Sequence, residues 1–124
     1  MKQIYLVEDN QDNADLILDL LSDDYEIQWF PGGKELLSFF EDEESKVPDI
    51  FLLDISLPDM DGVELLKRLR RIERLEAIPT VALTAHAMKF DKERFLDVGF
   101  NGYVSKPIVD EEELIEAIEQ LTEL

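Results

Sequence analysis

Cysteine is absent from this 124-residue chain, so disulfides and thiolate metal centres are excluded. Histidine occurs once, as His86, and a lone imidazole with no Cys or second His speaks against a transition-metal site. Glycine and proline are sparse, at five each, and form no Gly-rich phosphate loop of the Walker type and no low-complexity linker. Positive charge is also scarce. Twelve basic residues against 30 acidic ones leave a net charge of −18. Such a surface argues against nucleic-acid backbones and anionic membranes, and permits basic partners and divalent cations. No apolar run is long enough to span a bilayer, and Met1-Lys2-Gln3 leads straight into a strand-like segment with no secretory leader. With 45% hydrophobic residues the chain can build one core. The expectation is a single cytosolic domain over 1–124, with no separate output domain.

What is present is organised around Ile50 to Gly62. Ile50-Phe51-Leu52-Leu53 is an unbroken apolar run that ends in a carboxylate, Asp54, and is followed by Pro58 and Gly62. The run reads as a strand buried on both faces. Gln3 to Val7 is a similar run ending in Glu8 and Asp9, and Pro79 to Thr84 another. Gly102 to Ser105 is a short strand closed by Lys106-Pro107. Tyr25 to Trp29 alternates, as an edge strand would, and Trp29 reads as core.

Helices are predicted between these strands. One covers about Asn13 to Ser22, with Ala14, Ile17, Leu18 and Leu21 on one face. A second covers Lys34 to Glu43 after the break at Pro31-Gly32-Gly33. A third starts at Asp61-Gly62, with Glu64 placed for a capping box and Arg68, Arg70, Arg71 and Arg74 as solvated charge near its end. A fourth covers Lys89 to Val98, stopped by Gly99, and the last opens at Asp110-Glu111. Phe95 and Phe100 read as packing residues, as does Phe90 unless it proves exposed. Five strands alternating with five helices predict an α/β fold, a parallel sheet covered on both faces, with strand order 2-1-3-4-5.

Parallel strands bring their carboxyl ends to one edge. Glu8, Asp9, Asp54, Thr84 and Lys106 all fall there, where open α/β sheets bind ligands. Three crowded carboxylates need a proton or a cation, and Mg²⁺, a hard oxygen-seeking ion, suits them. Thr84 offers a hydroxyl donor and Lys106 a compact cation for a phosphoryl oxygen. A carboxylate nucleophile forming an acyl phosphate fits this set.

Val7-Glu8-Asp9-Asn10, Asp54 through Asp61-Gly62, Leu83-Thr84-Ala85 and Lys106-Pro107 are together similar to the motifs of response-regulator receiver domains, over essentially the whole chain. The resemblance implies the flavodoxin-like (βα)5 fold. It implies that Asp54 accepts a phosphoryl group from a phosphohistidine on a sensor histidine kinase or histidine phosphotransfer protein. It makes Asp9, Asp54 and the Ser56 backbone carbonyl the Mg²⁺ ligands, supported by Glu8, which stands where Asp is commoner. Thr84 and Lys106 then hold the phosphoryl oxygens, and Thr84 with Tyr103 relays the switch to the face built by the fourth helix, fifth strand and fifth helix, where a downstream protein would bind. It implies a cis Lys106–Pro107 peptide bond. It places Ser56 and His86 beside the attacking water, where they tune dephosphorylation. Both a monomer and a phosphorylation-dependent dimer are compatible with it.

Three other readings stay open. A Mg²⁺-dependent phosphatase with an aspartyl-phosphate intermediate would carry an acid at position 56, where Ser stands. A pseudo-receiver would keep the fold without phosphorylation, and the complete set of site residues counts against it. A flavodoxin would need a Ser/Thr/Gly phosphate loop where Glu8-Asp9-Asn10 stands.

Overall fold

Five strands, β1 (Lys2–Val7), β2 (Tyr25–Phe30), β3 (Ile50–Asp54), β4 (Thr80–Thr84) and β5 (Gly102–Ser105), pair in parallel in the order 2-1-3-4-5. Five helices join and cover them: α1 (Gln11–Leu21), α2 (Gly33–Phe39), α3 (Gly62–Arg70), α4 (Lys89–Val98) and α5 (Glu111–Thr122). The computed structural model describes residues 1–85, 89–106, 108 and 111–122, and of residues 89–92 the backbone alone. The sequence readings on His86, on the peptide bond to Pro107, on Asp110 as a cap and on the Phe90 side chain lie outside the described residues.

The two-residue period of the strands splits the core. Ile4, Leu6, Ile50, Leu52, Val81 and Leu83 face one side, where Ala14, Ile17 and Leu21 of α1 and Leu114 and Ile118 of α5 cover them. Tyr5, Val7, Phe51, Leu53 and Ala82 face the other, under α2, α3 and α4. β3 is buried along its whole length, which explains its unbroken apolar run. β2, at the edge, alternates in exposure. Asp54 is thus the last residue of a strand enclosed along its whole length.

Local signals set most element ends. Asn10 caps α1 by accepting from the Asn13 amide at 3.0 Å, so the helix starts at Gln11, ahead of the predicted Asn13. Gly99 ends α4 with φ +117°, a backbone region that favours glycine. Asp61 caps α3 through Val63 at 2.7 Å. Glu64 does not complete the expected capping box; it pairs with Arg68, one turn on, at 3.1 Å.

Two expectations are corrected by long-range contacts. α2 ends at Phe39, short of the predicted Glu43. The Arg74 guanidinium takes the carbonyls of Phe40 and Asp42, at 3.0 and 2.8 Å, and stacks over the Phe40 ring. Those bonds hold the chain in turns rather than helix. Arg70 is likewise no solvated charge. It donates to the carbonyls of Ile78 (2.6 Å) and Gly99 (3.3 Å) and to Asn101 Oδ1 (3.0 Å), tying α3 to the starts of β4 and β5.

Candidate functional site

Glu8 and Asp54 are fully buried, at 0% and 1% exposure, although both are carboxylates. Such burial is costly unless the groups are paired. β1 and β3 pair in register, so Val7 lies beside Leu53 and the acids that follow them emerge together. Carboxylate oxygens of Glu8, Asp9 and Asp54 lie within 4.8 Å of one another, with Asp9 on the exposed side. Thr84, 1% exposed, ends β4 next to Asp54 in the sheet. The Lys106 amide donates to the Thr84 carbonyl at 2.7 Å, which sets where the lysine leaves β5.

Lys106 Nζ reaches back over the edge to Asp54 Oδ2 at 3.0 Å and Glu8 Oε2 at 3.3 Å. Asp54 Oδ1 accepts from the Ser56 amide at 2.9 Å. Tyr103 is half-buried in β5, opposite Ala82, and packs against the cluster that contains Phe95 and Phe100. The structure thus brings Glu8, Asp9, Asp54, Thr84 and Lys106 to one edge, with Ser56 on the loop beside Asp54 and Tyr103 one strand away.

The charges do not balance. Among the described residues of the cluster, three carboxylates face one ammonium. Burial, and then the charge of Asp54, push the Glu8 carboxyl above its ordinary value; Asn13 and Lys106 pull it only part of the way back. Desolvation and the hydrogen bond with Asp54 push Asp9 the same way. Burial alone would lower the Lys106 ammonium, yet Asp54 and Glu8 outweigh it and hold it above the ordinary lysine value. All-oxygen donors with excess negative charge, part exposed through Asp9, suit a hard divalent cation.

Two contacts around Glu8 were not singled out from the sequence. Asn13 Nδ2 donates to Glu8 Oε1 at 3.1 Å, and Trp29 Nε1 donates to the Glu8 carbonyl at 2.7 Å. Asn13 stands at the predicted start of the first helix, so its spacing from Glu8 was the available signal. Trp29 packs half-buried against the core, as its strand pattern suggests, and in addition uses its indole N–H for this bond.

A parallel α/β sheet with buried carboxylates, a hydroxyl and a lysine at its carboxyl edge defines the class of open α/β proteins that bind ligands beyond their strand ends. Comparison with known proteins narrows the class. The response regulator receiver domain family model matches residues 4–119, and the chain belongs to that family. It is 41% identical over 108 residues to the polar-differentiation response regulator DivK of Brucella ovis, covering 86% of this chain and 85% of that protein. It is 40% identical over 112 residues to the hybrid signal transduction histidine kinase I of Dictyostelium discoideum, of which it spans only 6%. Among solved structures, the receiver domain of sensor histidine kinase PA1611 from Pseudomonas aeruginosa PAO1 superposes with a TM-score of 0.82 at 30% identity, covering 98% of this chain and 97% of that one; it holds a magnesium ion coordinated in its active site cleft. Receiver domains are the regulatory phosphoacceptors of two-component signalling, placed between histidine kinases and downstream targets. Among the described residues, no helix is long and apolar enough to cross a membrane.

Proposed function

We propose that this chain is a phosphorylation switch in which Asp54 accepts a phosphoryl group from a phosphohistidine. The observation that carries this is a buried strand-end carboxylate held from both sides, by Lys106 at 3.0 Å and the Ser56 amide at 2.9 Å, inside a cluster with excess negative charge. An Asp54 oxygen forms the new bond to phosphorus. The P–N bond of the donor breaks, and its electron pair stays on the imidazole, which takes up a proton. Mg²⁺, bound by Asp9, Asp54 and the Ser56 carbonyl with support from Glu8, would supply the positive charge that lets an anionic phosphoryl group approach.

The chain's own residues do the rest. β3 and the Ser56 amide fix the direction of Asp54. Lys106 moves its bond from the Asp54 carboxylate to a phosphoryl oxygen and stays charged throughout, as its raised pKa favours. Thr84 takes a second phosphoryl oxygen. The new dianion at Asp54 biases a two-state element, Thr84 with Tyr103, and Tyr103 conveys the state to the face of α4, β5 and α5, where a downstream protein binds. Ser56 borders the attacking water and so tunes the lifetime of the acyl phosphate.

The test is the intact mass of the protein after incubation with Mg²⁺ and a small acyl-phosphate donor. One phosphate is expected in the parent, and none in Asp54→Asn or without Mg²⁺. An unchanged mass in a parent shown to bind Mg²⁺ would favour a pseudo-receiver.

A further inference from the structure

The loop from Ile55 to Asp61 follows Asp54 directly and carries Ser56. Its first residue is pinned to the sheet, and its far end is pinned back to that residue. The Ile55 amide donates to the Leu83 carbonyl at 3.0 Å, and the Gly62 amide returns to the Ile55 carbonyl at 3.0 Å. Its middle is held by a different part of the chain. Asp59 accepts from the amides of Gly33 (3.3 Å, through Oδ1) and Lys34 (2.9 Å, through Oδ2) at the start of α2. Partial burial would raise the Asp59 carboxyl, but these amides, with those of Asp59 and Met60, outweigh it and hold it below the ordinary aspartate range.

Pro31-Gly32-Gly33 has its reason here. The cap position of α2 is Gly32, which has no side chain to take the first amides of its own helix. A Cβ at Gly33 would lie 2.8 Å from Met60 Cγ and 2.9 Å from its sulfur, and one at Gly32 would lie 2.9 Å from Asp59 Oδ2. The two glycines let the loop sit against α2, and Asp59 closes the contact with both oxygens.

Resting on the reading of Asp54 and Ser56 given above, we propose that Asp59 is a positioning residue: it clamps the phosphoacceptor loop to α2 and so holds the Ser56 backbone ready for the divalent cation. It touches neither the cation nor the phosphoryl group. Without the clamp the loop keeps its pinned ends, and the segment between them must be ordered by the cation at a cost in affinity.

The experiment is calorimetric titration with Mg²⁺ alone of four proteins: the parent, Asp59→Ala, Asp59→Asn and Asn101→Ala. Asn101 bonds Thr80 and Arg70 at the opposite edge of the sheet, so its variant supplies a destabilised chain with the site intact. Groups that orient metal ligands typically contribute 10- to 100-fold, and Asp59→Ala is expected at the low end, with Mg²⁺ affinity reduced about tenfold. Asp59→Asn keeps one acceptor oxygen and is expected between parent and alanine variant, and it carries the comparison should the alanine variant not fold. Asn101→Ala is expected to bind like the parent. Parent-like Mg²⁺ affinity in both Asp59 variants would overturn this inference and leave the reading of the site intact. A parent that binds no Mg²⁺ would overturn both.

Discussion

The two edges of the sheet carry similar polar residues with opposite fates. At the amino edge Asn101, Asp49 and Lys2 are each matched. Asn101 Oδ1 accepts from the Thr80 amide at 2.8 Å and from Arg70. Asp49 accepts from the Gln3 amide at 2.7 Å and returns its own amide to the Gln3 carbonyl at 2.8 Å. Lys2 closes on the Thr122 carbonyl at 3.0 Å. At the carboxyl edge, three carboxylates share Lys106, and two of them have raised pKa values. A matched edge is structure. An edge left short of positive charge is one that a cation and an incoming group can complete. Stability and function are therefore expected to separate by edge.

Arg70→Ala should show the largest effect. It removes charge-assisted bonds to two carbonyls and to Asn101, at a cost of about 3 kcal/mol of folding stability. Mg²⁺ affinity should not change. Denaturant unfolding and a metal titration check the pair; a large loss of affinity would break the separation.

Lys106→Met should act at the other edge with a smaller effect. Removing the ammonium that pairs with Glu8 and Asp54 raises the local negative charge, so Mg²⁺ should bind about fivefold more tightly, near 1 kcal/mol of charge interaction at a partly exposed site. Retention of the phosphoryl group should fall at the same time. Weaker Mg²⁺ binding in this variant would show that the lysine orders the site rather than competing for it.

Glu8→Gln should be the smallest and the most diagnostic. The folded-state pKa of Glu8 is raised above its ordinary 4.5. Below that value Glu8 is protonated in folded and unfolded chains alike, and nothing is lost. As pH rises through the folded value, ionisation in the buried site costs stability. Metal-free Glu8→Gln should therefore melt a few degrees higher than the parent at neutral pH, and the gap should close below pH 4.5. A gap independent of pH would assign the effect to packing.

The strands were legible in the sequence because their signals are local, and the site because each of its residues closes or follows one of those strands. An apolar run ending in an acid is visible without knowing what it packs against, and parallel pairing then gathers Glu8, Asp9, Asp54, Thr84 and Lys106. What was not legible depends on residues far apart in the chain. α2 stops early because Arg74 takes carbonyls 34 and 32 residues away. Arg70 reads as surface charge until Gly99 and Asn101 are beside it. Asp59 gives no signal of its own until Gly33 and Lys34 are seen to donate to it, and Trp29, legible as core packing, gives no sign of its bond to the Glu8 carbonyl.

The difference between the edges rests on one claim: among the described residues, the carboxyl edge lacks the positive charge that a divalent cation supplies. The melting temperature of the parent with and without Mg²⁺, at pH 7 and at pH 4, tests it most directly. Mg²⁺ is expected to raise it at pH 7, by the equivalent of about 1.4 kcal/mol at tenfold excess over Kd. The gain should shrink at pH 4, where protons compete for Glu8 and Asp9. No gain at pH 7, or an equal gain at both, would contradict it.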